Sequence, residues 1–326
     1  MNAIVKSPFA WLVKREYWES RRGFLWAQIW AAGVLIVISI LGIIAFEAFR
    51  LRNNIEIGMH GNLSSLLNNG MQHNAAGIAP GLDGLMLTFG MIAAIVLFFV
   101  VFFYLLGSLY DDRRDRSILF WKSLPLSDTS TVISKVIAAL IIAPLISVAV
   151  VLAGYVALQI IASIWFIAHG LNPLTLLWTH PDPFSLWLHL LAMIPVNAVW
   201  ALPTVGWLLV WSAAVRSKPF LWAVVIPIVA GVLNFWVGLL GLPNVDTRFF
   251  WGDLVGRALL SVIPASWITA DPEQIRAGFM GGDQLSGISY SSMAHAFTLP
   301  GMWIGAAVGI GLIAVAIWFR RWRDET

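Results

Sequence analysis

Residues 136–168, VIAALIIAPLISVAVVLAGYVALQIIASIWFIA, form a run of 33 residues without one charged side chain. A membrane-spanning helix needs about 20 consecutive apolar residues, and a helix in a soluble core seldom holds an uncharged stretch much longer than half that. At about 1.5 Å of rise per residue this run would be roughly 50 Å long, against a hydrocarbon layer of about 30 Å. It must tilt, kink or project from the bilayer, and Pro144 is the residue expected to bend it.

Five further uncharged apolar runs lie to either side. Phe24–Phe46 and Leu85–Leu109 precede it, while Leu190–Val215, Phe220–Leu242 and Met302–Phe319 follow. With its approach from Trp187, the fourth span is placed at about 187–215, and it contains Pro195 and Pro203. The first run follows basic residues, as a signal peptide does. At 23 residues it exceeds the roughly 7–15 of a signal core and reads as a retained span. Composition agrees: 59% of the residues are hydrophobic and 11% charged, against about 25% charged in soluble domains. The 18 tryptophans suit headgroup-level belts. With no cysteine, disulfides, thiol catalysis and cysteine-ligated metals are excluded. The expected fold is all-α: one polytopic transmembrane domain over 1–326, with six helices at 24–46, 85–109, 136–168, about 187–215, 220–242 and 302–319.

Charge sets the orientation. Lys6, Lys14, Arg15, Arg21 and Arg22 precede the first span. Arg113, Arg114, Arg116, Lys122 and Lys135 follow the second, Arg216 and Lys218 link the fourth and fifth, and Arg320, Arg321 and Arg323 follow the sixth. Alternate connections therefore hold 15 of the 20 basic residues, leaving Arg50, Arg52, Arg248, Arg257 and Arg276 opposite. By the positive-inside rule both termini are expected in the cytoplasm. The outer loops are then 47–84, 169–186 and 243–301. In the last, Phe250, Leu254 and Ala258 recur every fourth residue with Asp253 and Arg257 as an i,i+4 pair, which predicts a short amphipathic helix.

Two segments face the cytoplasm with more than a topological signal. Over 7–23, Phe9, Leu12, Val13 and Tyr17 share one helical face opposite Lys14, Arg15, Arg21 and Arg22. That pattern predicts an interfacial helix, or a basic flank that sets topology. The loop 110–135 opens with Asp111-Asp112-Arg113-Arg114-Asp115-Arg116, then the apolar Ile118–Trp121, then Leu124-Pro125-Leu126-Ser127. Ser127 or Asp128 is placed to cap the helix entering the third span.

None of the six runs contains an ionisable residue. Ion-coupled transporters and intramembrane enzymes keep such groups at membrane depth, so both classes are disfavoured. No lysine completes a phosphate-binding G-x-x-x-x-G-K-[ST] loop. Any ATP-driven work must draw on a partner. Gly301, Gly305 and Gly309 form a small-residue ridge opening the sixth span, suited to packing within the subunit or to a dimer contact. Gln159, Asn197 and Asn234 are expected to bond between helices or to line a path. All six histidines (His60, His73, His169, His180, His189, His295) fall on or near the outer side without metal-ligand spacing, and read as surface residues.

This arrangement resembles the membrane (permease) subunit of type-2, or type V, ABC exporters. That family has an interfacial amphipathic helix, six spans, a coupling helix in its first cytoplasmic loop and a long outer loop between spans five and six. Leu124-Pro125-Leu126-Ser127 and Ser134-Lys135 match its loop pattern, and Asp115-Arg116-Ser117 stands where many members have Glu-Arg-x-x-Gly. The resemblance implies a second permease copy as a homodimer and two separate cytosolic ABC ATPase subunits, in the bacterial cytoplasmic (inner) membrane. ATP and magnesium would sit on the ATPase; this chain would bind no cofactor, no metal and no nucleic acid. It implies outward movement of a hydrophobic or amphipathic substrate, with coupling through Asp115, Arg116, Ile118, Phe120 and Trp121. Two other classes compete. One is a non-transport scaffold or assembly protein. The other is an enzyme at the outer interface drawing on His60, His73, Asp182, Asp246 or Asp253, whose spacing forms no recognisable catalytic set.

Overall fold

Pro8 to Arg52 forms one continuous helix: α1 (Pro8–Arg21), a π-helical turn (Arg22–Trp26) and α2 (Ala27–Arg52). The structure, a computed structural model, describes residues 8–53, 79–117, 126–170, 172–178, 183–270 and 289–322. Within them the chain is helical, without a strand. The sequence separated an interfacial helix at 7–23 from a span at 24–46; here the backbone stays helical across that boundary. The inward face of α1 keeps Leu12 of the expected apolar face and adds a charge to it. Leu12 and Glu16 are buried, while Trp11 and Trp18 stand exposed.

α3 (Ala79–Arg114) is followed, beyond the loop, by α4 (Asp128–Ile137), a π turn (Ala138–Ile142) and α5 (Ala143–Ala168). Pro144 does not break this helix. A proline lacks the N–H for an i−4 bond and its ring crowds the carbonyl there. The preceding Ala143 N–H reaches back to the Ala138 carbonyl, a wider turn that accommodates the ring. The device recurs in the fifth span, where a π turn (Leu221–Val225) precedes α8 (Ile226–Leu239) and Pro227. Pro227 cannot donate to the Ala223 carbonyl, and the Trp207 indole Nε1–H does so at 2.9 Å.

The fourth span is α6 (Pro183–Trp200) and α7 (Leu202–Ala214), meeting at 54°. Pro203 falls in the first turn of α7, where its missing N–H costs nothing. Polar groups beside the bend hold the segment 257–265. Asn197 Oδ1 accepts the Ala265 N–H at 3.1 Å. Thr204 Oγ1 donates to the Arg257 carbonyl at 2.8 Å and accepts the Ser261 N–H at 3.1 Å.

After α8 the chain doubles back. Asn234 bonds both the N–H and the carbonyl of Val245, at 3.0 and 2.9 Å. A short helix over 247–259 then packs on the bundle, with Phe250 and Trp251 covering Gly231. Its buried residues are Val255 and Leu259, one position beyond the predicted Leu254 and Ala258. A π turn over Phe250–Gly256 inserts the extra residue that shifts the face. Arg257 lies over the Trp200 ring, 3.5 Å from its centre, and donates to the Gly301 carbonyl at 3.3 Å. Burial lowers its guanidinium below the ordinary value, opposed by Asp253.

α9 (Tyr290–Ala296) leads into α10 (Pro300–Trp322), which pairs most extensively with α7. The glycine ridge makes this close approach possible. A Cβ on Gly206 would lie 2.6 Å from the Gly309 carbonyl, and one on Gly309 would meet the Leu202 backbone. At Gly305 it would strike Arg257 and Pro203; at Gly301 it would meet nothing. Among the described residues, five helices are long and apolar enough to cross a membrane, and a sixth if the bent pair is one span. Ile38, Leu41, Leu233 and Trp236 are among many large apolar side chains left exposed, which suits contact with lipid.

Candidate functional site

The Ser127 hydroxyl accepts the Ser130 N–H at 3.1 Å and caps α4. Asp128 therefore occupies the first turn, where the positive end of the helix favours a carboxylate. Seven residues on, two helical turns, Lys135 shares that face. Other helices extend a buried apolar stripe into a charge in the same way. Leu12 is followed at i+4 by Glu16, Leu109 at i+3 by Asp112, and Ala316 at i+4 by Arg320. Each charge lies outside the apolar run of its helix, where that helix still packs on a neighbour.

These charges meet at the end of the bundle that holds most basic residues. Lys135 Nζ lies 3.3 Å from Glu16 Oε2 and 3.5 Å from Asp112 Oδ2. Arg320 reaches Asp112 Oδ2 through Nη1 and Asp128 Oδ1 through Nε, each at 3.2 Å. The Tyr104 hydroxyl donates to Glu16 Oε2 at 2.8 Å, and Arg15 Nη1 approaches Glu16 Oε1 at 3.9 Å. In order the charges run Arg15, Glu16, Lys135, Asp112, Arg320, Asp128: a ladder alternating in sign and balanced overall. Glu16 is 1% exposed, Lys135 2%, Arg320 3% and Asp112 9%. At such burial the members depend on each other, because removing one strands its neighbour's charge out of water.

The next residue extends the tie to the fourth span. Arg113 Nη2 donates to the Ser212 and Val215 carbonyls at 2.7 and 2.9 Å, a cation at the C-terminal end of α7. Ser212 Oγ in turn accepts the N–H groups of Leu109 and Tyr110, both at 3.0 Å. The first, second, third, fourth and sixth spans thus meet at one end. Among the described residues, the fifth contributes nothing to the ladder.

Of the residues expected to couple, Asp115 and Arg116 stand just outside the ladder. Asp115 is exposed and pairs with Arg114 at 3.6 Å, a solvated contact of little energetic weight. Arg116 ends α3 in the left-handed region, φ 56°, with its N–H on the Arg113 carbonyl at 3.1 Å. Ile118, Phe120 and Trp121 lie outside the described residues, as do His60, His73, His180 and Asp182. The ladder itself was missed as a unit. In the sequence Lys135 reads as a topological charge and part of a motif, and Arg320 as a topological charge alone. A charge in register with an apolar stripe just past the end of its run was the available signal.

On the opposite side, His169 Nε2 lies 3.4 Å from Glu47 Oε2, and His189 stacks on Tyr290 with ring centres 4.0 Å apart. Asp246 caps the 247–259 helix by accepting the Phe249 N–H at 3.3 Å. No three potential metal ligands converge among the described residues. Gln159 donates to Tyr155 Oη and to the Leu177 carbonyl, at 2.9 and 3.0 Å. Comparison with protein-family models, curated proteins and solved structures finds no match to this chain.

Proposed function

We propose that this chain is the permease subunit of an ATP-driven exporter of the type V ABC class, served by a separate cytosolic ATPase. The observation that carries the reading is the buried ladder. Asp112 precedes the loop between the second and third spans, and Asp128 and Lys135 follow it. Both flanks are bound to the N-terminal helix through Glu16 and to the last span through Arg320. A force on this loop would move those spans together, since shifting one alone would leave a buried charge unpaired. The six apolar runs hold no ionisable group of their own, which favours an energy source outside the bilayer.

In this reading the basic end faces the cytosol with both termini, and Trp11 and Trp18 rest at the inner headgroups. The coupling element comprises Asp115, Arg116, Ile118, Phe120 and Trp121, and a second copy of the chain completes the transporter. The cargo is hydrophobic or amphipathic.

Co-purification from mild detergent is the direct test. An ABC ATPase is expected to accompany the chain, and Arg116→Glu or Trp121→Ala is expected to separate ATP hydrolysis from transport without reducing insertion. A chain that brings down no ATPase, with both variants silent, would be a scaffold and not a permease.

A further inference from the structure

The first and third spans meet again at the end opposite the ladder. Phe46 packs edge-on against Trp165, with ring centres 5.9 Å apart. His169 follows the last residue of α5, and its ring centre lies 4.4 Å from that of Trp165. Its Nδ1 is 2.8 Å from the Trp165 carbonyl oxygen. A carbonyl only accepts, so Nδ1 carries a proton. The other nitrogen, Nε2, lies 3.4 Å from Glu47 Oε2 on α2.

In a neutral imidazole protonated at Nδ1, Nε2 holds a lone pair, which here would face a carboxylate oxygen. Arg50 donates through Nε to Glu47 Oε1 at 3.0 Å, a pairing that favours the ionised carboxylate. Oε2 is buried and takes no hydrogen bond from any other group among the described residues. An imidazolium donates from both nitrogens and serves the Trp165 carbonyl and Oε2 together. Its charge would also stand at the C-terminal end of α5, where the helix dipole favours a cation. Among the described residues the charged groups around the ring are Glu47 and, through it, Arg50.

We propose that His169 and Glu47 form a proton-binding site that latches the ends of the first and third spans. The latch is closed with the imidazolium and released when Nε2 gives up its proton. An imidazole changes charge between about pH 5 and 8, so the latch holds on the acid side and is lost as the pH rises. The Phe46–Trp165 contact carries no charge and is indifferent to that change. The proposal concerns this chain alone and stands whether or not an ATPase drives it.

The chain has no cysteine, so spin labels can be attached at Leu51→Cys and Ile167→Cys, two exposed positions beside the latch. The full chain in nanodiscs is read by double electron–electron resonance at about pH 5 and about pH 8. The distance between the labels is expected to lengthen at the higher pH. His169→Gln and Glu47→Gln should each abolish that shift, while His189→Gln, which removes a histidine outside the latch, should keep it. A parent distance that is equal or shorter at the higher pH overturns the proposal. So does a shift that survives either latch variant or disappears in His189→Gln.

Discussion

Glu16 shows how burial sets what a single side chain does. On the helical wheel of the N-terminal segment it looks like one more charge among Lys14, Arg15 and Glu19. In the structure it is the buried partner of Lys135 and Tyr104. Glu16→Ala should destabilise the fold by about 3–5 kcal/mol, because buried Lys135 loses one of its two carboxylates. The Glu16→Ala/Lys135→Ala double variant should cost less than the sum of the singles, read from melting in nanodiscs. Arg116 carries a different expectation. Its positive φ is a conformation that glycine adopts without strain, so Arg116→Gly should raise stability by up to about 1 kcal/mol. If that variant melts higher but fails to couple, the guanidinium acts at the loop; unchanged coupling would leave Arg116 a purely conformational role.

At the scale of elements, hydropathy made the apolar runs legible but said little about how they end or bend. The fourth run contains Pro195 and Pro203, but no bend was read from them. That Asn197 and Thr204 would hold the segment 257–265 from the bend depends on chain 53 to 68 residues away, which no local pattern shows. The π turns escaped a reading based on a period of 3.6, and one of them moved the buried face of the 247–259 helix by a residue. The glycine ridge was legible as a packing surface, and its three members differ in ways that only packing reveals. Gly309→Val should cost about 1–3 kcal/mol through overpacking against Leu202, whereas Gly301→Ala should lie within about 0.5 kcal/mol of the parent. Equal melting of the two variants would count against the α7–α10 approach.

For the whole molecule, the contrast is between a bundle fastened at one end and a fifth span held mainly by the segment that returns along it. Asn234 fastens that segment through both bonds to Val245. Asn234→Leu should expose the chain near 243–247 to limited proteolysis from the side opposite the termini, while the melting of the bundle changes little. Protection equal to the parent would show that aromatic packing over Gly231 suffices. The ladder also bears on how the molecule is made. Its members are spread from Arg15 to Arg320, and Arg320 leaves the ribosome after all the others. Until then Asp112 and Asp128 are two acids sharing no arginine, and the half-built bundle has a negative fault at its edge. Synthesis halted before the last span would therefore leave a buried carboxylate without its cation, so the charge balance of the ladder closes only when the last helix is in place.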